Sequence, residues 1–312
     1  MVDELRIPVS GGELAVRDYG GPGRTVVLVH SVGYSSDVWR RFAPLLAQSH
    51  RVLAVDLRGH GQTTAQVDVV DDVVADFERL VAVLELRCPV IVGHQYGGGV
   101  AAAVAAAYPL LWGGLCLIDS PAIGPREDYL GLMQIFASES MLDELVARFA
   151  LGAEGHGPEA LEAFLESRGV PMATDWLSVP RVGGNDYSLL RAILRDGSGG
   201  WVRQPTRQTV LRLTEIADFP YAPGRELLER VVAPVWALQP TAGEYGQGFE
   251  HFAQLARTRV GWVARSLCGG SFVAHTDPQL LRNTLVALLA RLPNQGEPVR
   301  ALDQLSPATR ET

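Results

Sequence analysis

The 312-residue chain contains no lysine, and all 27 of its basic residues are arginine. We read this as a high-GC coding bias of the actinobacterial type. It excludes Schiff-base chemistry and lysine general-base catalysis. Cysteine is scarce as well. Cys88, Cys116 and Cys268 show no C-x-x-C spacing and lie in or beside apolar, strand-like segments. A disulfide framework is thereby excluded, and buried inert thiols in a reducing compartment are expected. No apolar run suffices to cross a bilayer of about 30 Å; the longest, 97–107, is short and dominated by Ala and Gly. The opening MVDELRIPVSGGEL has neither the basic nor the apolar region of a signal peptide. Excess positive charge is also missing, since the net charge is −8, which argues against nucleic acid or an anionic membrane as partner. No His, Cys, Asp and Glu cluster has metal-ligand spacing, so no metal and no cofactor is expected. These absences describe a cytoplasmic protein acting on a small molecule, as monomer or homodimer.

What the chain does contain is ordered alternation. With 47% hydrophobic and 20% charged residues it is globular and long enough for one large α/β domain with an insertion. Residues 4–9 and 13–18, split by Ser10-Gly11-Gly12, read as a β-hairpin. Strands are expected at 25–30, 51–55, 113–118, 234–238 and 259–266. Asp37 is expected to cap a helix running to about Gln48, with Trp39 and Phe42 facing inward. Apolar residues spaced by three and four from Val70 to Leu84 predict an amphipathic helix packed on a sheet. Helices are likewise expected at 248–257 and 278–291. Between 124 and 223 the strand–helix rhythm stops, and short helical patterns at 126–138, 140–150, 158–167, 185–195 and 205–217 predict an inserted helical cap. The core is then 1–123 with 224–292, and the polar segment 293–312 is expected to be a mobile tail.

The stretch from Cys88 to Tyr108 gives the arrangement its meaning. An apolar strand enters a glycine-rich turn, Gly93-His94-Gln95-Tyr96-Gly97, and leaves as an Ala-rich helix. That is the context of a nucleophile elbow, Gly-x-nucleophile-x-Gly. Further landmarks follow in order: Val26-Val27-Leu28-Val29-His30-Ser31-Val32-Gly33, Asp56-Leu57-Arg58-Gly59-His60-Gly61, Leu115-Cys116-Leu117-Ile118-Asp119 and Gly269-Gly270-Ser271-Phe272. On these motifs residues 4–292 resemble the α/β-hydrolase fold superfamily. The resemblance implies an α/β protein with a mostly parallel eight-stranded sheet flanked by helices, carrying the helical cap.

It also implies a triad of nucleophile, histidine and carboxylate, and there the chain departs. The nucleophile position holds Gln95, and an amide cannot attack. The histidine position holds Ser271. The acid is expected at Asp119 or Glu244. His94 and Gln95, with Asp119 and Ser271, are the candidate catalytic residues; the backbone N–H groups of Val32 and Tyr96 are the candidate oxyanion hole. Ser31, Tyr34, Trp39 and His275 are the candidate substrate contacts. Such a site suits polarising a carbonyl, enolate or phenolate better than attacking an acyl carbon. The expected function is cofactor-free, non-hydrolytic chemistry on an aromatic or polyketide-type intermediate. The alternatives are a hydrolase with a relocated nucleophile (Ser31 or Ser271) or directly activated water, and a non-catalytic binding protein.

Overall fold

The computed structural model of the chain describes residues 2–167 and 191–293. Its strands are β1 Asp3–Val9, β2 Gly12–Asp18, β3 Thr25–Val29, β4 Arg51–Val55, β5 Val90–His94, β6 Gly114–Ile118, β7 Glu154–His156, β8 Ile193–Arg195, β9 Gly200–Arg203, β10 Val235–Ala242 and β11 Val263–Gly270. Among the described residues eight of them form one sheet in the order β1-β2-β4-β3-β5-β6-β10-β11. The hairpin β1–β2 and its junction with β4 are antiparallel, and every other pairing is parallel. Strands β3, β5 and β6 are buried along their whole length, which is why they read as unbroken apolar runs rather than alternating ones.

Alternation appears instead in which face each side chain takes. Val27, Val29, Ile91 and Leu117 point to the face covered by helices Val70–Val83 and Tyr96–Ala107. Val26, Leu28, Val92 and Ile118 point to the opposite face, against Trp39, Phe42 and helix Pro278–Leu289. Cys116 is buried on that second face, and burial pushes its thiol far up. Cys268, by contrast, is exposed, because β11 is the edge of the sheet.

The strand order reverses at β3, which lies between β4 and β5. In open α/β sheets such a reversal opens a crevice at the carboxyl ends of the strands, where ligands bind. Each candidate group stands at one of those ends: the loop 30–34 after β3, Gln95 after β5, Asp119 after β6, Glu244 after β10 and Ser271 after β11.

Two local expectations are corrected. The helix expected from Asp37 is a 3₁₀ turn, Ser36–Trp39, followed by a separate short helix, Ala43–Leu46. Pro44 lacks the N–H that would bond back to Arg40, so the first turn cannot run on. The cap is Ser35, whose Oγ accepts from Asp37 N at 3.4 Å, while Asp37 pairs with Arg17 at 2.6 Å and Arg40 at 3.1 Å. The inserted segment is also not wholly helical. It holds helices Arg126–Ala137, Glu139–Phe149, Gly157–Ser167 and Arg207–Thr214, together with an antiparallel sheet β7-β9-β8. The helical pattern expected at 185–195 lies partly outside the described residues, and its end is β8. The sequence Asp196-Gly197 turns the chain there: Asp196 Oδ1 accepts from Ser198 N and Gly200 N, both at 2.8 Å, and closes a hairpin onto β9. The expected tail lies outside the described residues beyond 293.

The cap is fastened to the core by arginines. Arg191 reaches Asp56 at 2.8 Å, Glu4 at 2.7 Å and Ser36 Oγ at 2.6 Å. Arg203 of β9 donates to the carbonyl of Gly33 at 2.9 Å, and the N–H of the same Gly33 donates to His60 Nε2 at 3.3 Å. Within the core, Arg58 of the Asp56–Gly61 turn pairs through two nitrogens with Asp76, at 2.7 and 2.8 Å.

Candidate active site

Gln95 follows β5 with φ 50° and ψ −118°, a strained backbone for a side-chain-bearing residue. The turn closes because its neighbours are glycines. A Cβ on Gly93 would collide with the Gly97 carbonyl, and one on Gly97 with the backbone of His30. The elbow geometry is therefore intact around an amide.

The amide is held tightly. Gln95 Nε2 donates to Ser271 Oγ at 3.0 Å and to Glu244 Oε2 at 3.1 Å. Ser271 Oγ in turn donates to Asp119 Oδ2. Asp119 sits at φ 46° beyond β6 and also accepts from Gln239 Nε2 at 2.8 Å, Glu244 N at 3.0 Å and Tyr245 N at 3.0 Å. Gly243 allows this approach, since a Cβ there would lie 2.5 Å from Asp119 Oδ1. Gln95, Ser271 and Asp119 thus form a hydrogen-bonded row of the three residues expected from the resemblance at the nucleophile, base and acid positions, with Glu244 beside it. Asp119, with donors filling both oxygens, anchors the 243–245 loop and orients Ser271.

Glu244 is displaced from its ordinary titration range. Burial, reinforced by the charge of Asp119 and opposed by Arg148, pushes its carboxyl up to about 7. Its Oε1 is buried and has no partner among the described residues. A carboxyl raised in the folded state stabilises the fold relative to an ionised one at low pH, and that contribution is lost as pH rises from the ordinary value of 4.5 through about 7. The stability of Glu244→Gln relative to wild type should therefore rise across that window and stay flat on either side. Urea titrations of both proteins at half-unit pH steps read it directly; a constant difference would remove Glu244 from the buried site.

The remaining candidates divide. Ser31, Val32, Tyr34, Gln95 and Tyr96 line one cavity of about 60 Å³ directly above the elbow. That is several times the room one water needs, and well below the roughly 300 Å³ at which sites for larger ligands begin. Its other walls are largely apolar and come mostly from the cap, with Leu132, Phe136, Leu145, Phe149, Val210 and Leu213, and with the hydroxyl-bearing Thr214 and Tyr245 among them. Trp39 and His275 are buried and do not line it. Trp39 is core, and His275 lies on the short helix Val273–Thr276.

His94, a candidate catalytic residue, also lies outside the cavity lining. Its ring packs edge-on against Phe272, centroids 5.0 Å apart, and Nε2 donates to the Ser271 carbonyl at 3.0 Å. Burial holds it down at about 4, against the upward pull of Asp119. His30 and His60 are loop supports: His30 Nε2 accepts from Leu57 N at 3.1 Å, and each Nδ1 faces a backbone carbonyl at 2.8 Å. His30 and His94 meet the backbone carbonyls of Ser31 and Ser271; neither serine hydroxyl is hydrogen-bonded to an imidazole among the described residues. The Ser49–His50 contact at 2.9 Å is at the start of β4, the end opposite the site. Tyr245 and Gln239 went unseen in the sequence: Tyr245 reaches the site only through the turn after β10, and Gln239 reads as one more position within that strand.

Comparison with known proteins agrees with this architecture. The family model for the alpha/beta hydrolase fold matches residues 24–178. A "Serine hydrolase-like protein" of Danio rerio is 33% identical over 129 residues, 40% of either chain. The "Dihydrolipoyllysine-residue acetyltransferase component of acetoin cleaving system" of Pseudomonas putida is 28% identical over 209 residues, 65% of this chain and 53% of that one. The chain thus spans about half or less of the length of these curated relatives. Among solved structures, E-2-(acetamidomethylene)succinate hydrolase superposes with a TM-score of 0.68 at 17% identity, covering 93% of this chain and all of the other.

Proposed function

We propose, for a chain with the alpha/beta hydrolase fold whose residues 24–178 match that family's model, a cofactor-free enzyme that works without a covalent acyl intermediate on a compact, largely apolar substrate. The observation that carries this reading is Gln95 in an intact elbow, with both amide hydrogens committed to Ser271 and Glu244. A relic of a lost triad has no reason to retain such an arrangement around an amide.

The substrate oxygen lies against the N–H groups of Val32 and Tyr96, which stabilise the negative charge of an enolate or phenolate as it develops. Apolar cap side chains exclude water and strengthen that interaction. Proton transfer falls to Glu244, which stands behind Gln95 rather than on the cavity wall and exchanges the proton through one bridging water; its carboxyl at about 7 is populated in both forms near neutrality. His94, held at about 4 and turned toward Phe272, is excluded from the role. An aromatic ring or short enolisable compound suits the cavity; a full polyketide requires the cap helices to part. Oxygenation, cyclisation and carbon–carbon bond chemistry all pass through such an anion. A second reading, hydrolysis by water that Glu244 activates directly, is favoured by the same carboxyl.

Labelling with a fluorophosphonate probe, alongside a panel of short activated esters, tests this. The expected result is no adduct and no turnover above background. A stoichiometric adduct on Ser31 or Ser271 would overturn the proposal, and ester turnover without an adduct would select the directly activated water.

A further inference from the structure

The orientation of one amide narrows the substrate class. Ser271 Oγ has a single hydrogen, and it is given to Asp119. Toward Gln95 this oxygen can only accept, as can Glu244 Oε2 once that carboxyl is ionised, above its value of about 7. Both contacts therefore require the nitrogen of the Gln95 amide, at 3.0 and 3.1 Å. Turned over, the amide would set Oε1 against two acceptors with no proton between them. Oε1 is thus fixed on the remaining side, where Gln95 lines the cavity. No donor among the described residues reaches it.

We infer that the cavity is built for an uncharged ligand carrying a hydroxyl group, an alcohol, phenol or enol on a compact apolar body, whose proton is accepted by Gln95 Oε1. This deepens the proposed function and rests on it for the Val32 and Tyr96 N–H donors. A hydroxyl oxygen accepts from those N–H groups while its hydrogen bonds the amide carbonyl, so one atom satisfies both sides. A ketone or ester has no proton to offer and leaves Oε1 desolvated and unpaired, which is unfavourable. A carboxylate has no proton either and brings a charge into walls that contain no ionisable cation among the lining residues. The carboxyl of Glu244, immediately behind Gln95, repels it further.

The test uses the full chain, with binding followed by saturation-transfer NMR and calorimetry at pH 8, where Glu244 is above its value of about 7. The probes are phenol, fluorobenzene (similar size, no donor) and benzoate. Phenol is expected to bind up to about tenfold more tightly than fluorobenzene, the scale of one net hydrogen bond, and benzoate not measurably. In Gln95→Met, of similar length but without the amide, phenol should fall to the level of fluorobenzene while fluorobenzene is unchanged. Should that variant not fold, the wild-type ranking decides alone. Equal binding of phenol and fluorobenzene, displacement of phenol by benzoate, or no saturable binding of any probe would overturn the inference. The two readings fail separately: a serine adduct ends the non-covalent mechanism and leaves this ranking untouched, whereas a lost ranking leaves the labelling result as it was.

Discussion

The double variant Gln95→Ser/Ser271→His is expected to gain ester hydrolysis, at least about 100-fold above the unaltered protein toward p-nitrophenyl acetate, the lower range for a positioned general base. Residues 95, 271 and 119 already stand in a hydrogen-bonded row. An imidazole at 271 can donate Nδ1–H to the carboxylate that now accepts the Ser271 hydroxyl and turn Nε2 toward a hydroxyl at 95. The exchange nearly conserves volume, because Gln to Ser releases most of the space that Ser to His occupies. Backbone geometry needs no change, since φ 50° at residue 95 is the strained turn a nucleophile uses. Neither single variant should gain activity: a serine without a base, or a base without a nucleophile, lacks half of a unit that acts together. Turnover and one fluorophosphonate adduct per chain, mapped to residue 95, are the readouts. A folded double variant with neither would mean that residue 271 does not occupy the base position.

Arg191→Met should give the largest loss of stability, about 3–5 kcal/mol, the usual cost of removing one partner from a buried ion pair. Asp56 is fully buried, and Arg191 is its cationic partner at 2.8 Å. The same guanidinium holds Glu4 and Ser36, so the substitution loosens the hairpin, the turn after β3 and the cap together. Arg212→Met is the control: it breaks a solvent-exposed pair with Glu215 at 3.0 Å and should cost no more than about 0.5 kcal/mol. Urea midpoints of the two variants decide the comparison. Equal effects would mean that the cap is held by its apolar contacts instead.

The parts of this molecule that repeat a short physical pattern were legible before the structure. Buried parallel strands give unbroken apolar runs, and helix Val70–Val83 shows its face through spacing alone. The elbow needs glycines where backbones meet, and so announces itself at Gly93 and Gly97. What stayed hidden depends on contacts between distant segments. Trp39 and His275 are the kinds of residue that contact substrates, yet their burial is set by the helices packed over them. His94 neighbours Gln95 in sequence, but strand alternation turns its ring to the opposite face of the sheet. The small cap sheet joins Glu154–His156 to a hairpin some forty residues away, a pairing that no local pattern records. The Glu244 carboxyl, raised by burial beside Asp119, could not be read from its sequence neighbours at all.

The bond from Arg203 to the Gly33 carbonyl bears on how such proteins can be recombined. The loop 30–34, which carries the proposed oxyanion donor Val32, is gripped from the core by His60 and from the cap by Arg203. Cap and loop therefore form a single mechanical unit. Exchanging this cap for one from a relative without an arginine at that place would alter reactivity as well as substrate preference. In a chimera, the arginine must travel with the loop it holds.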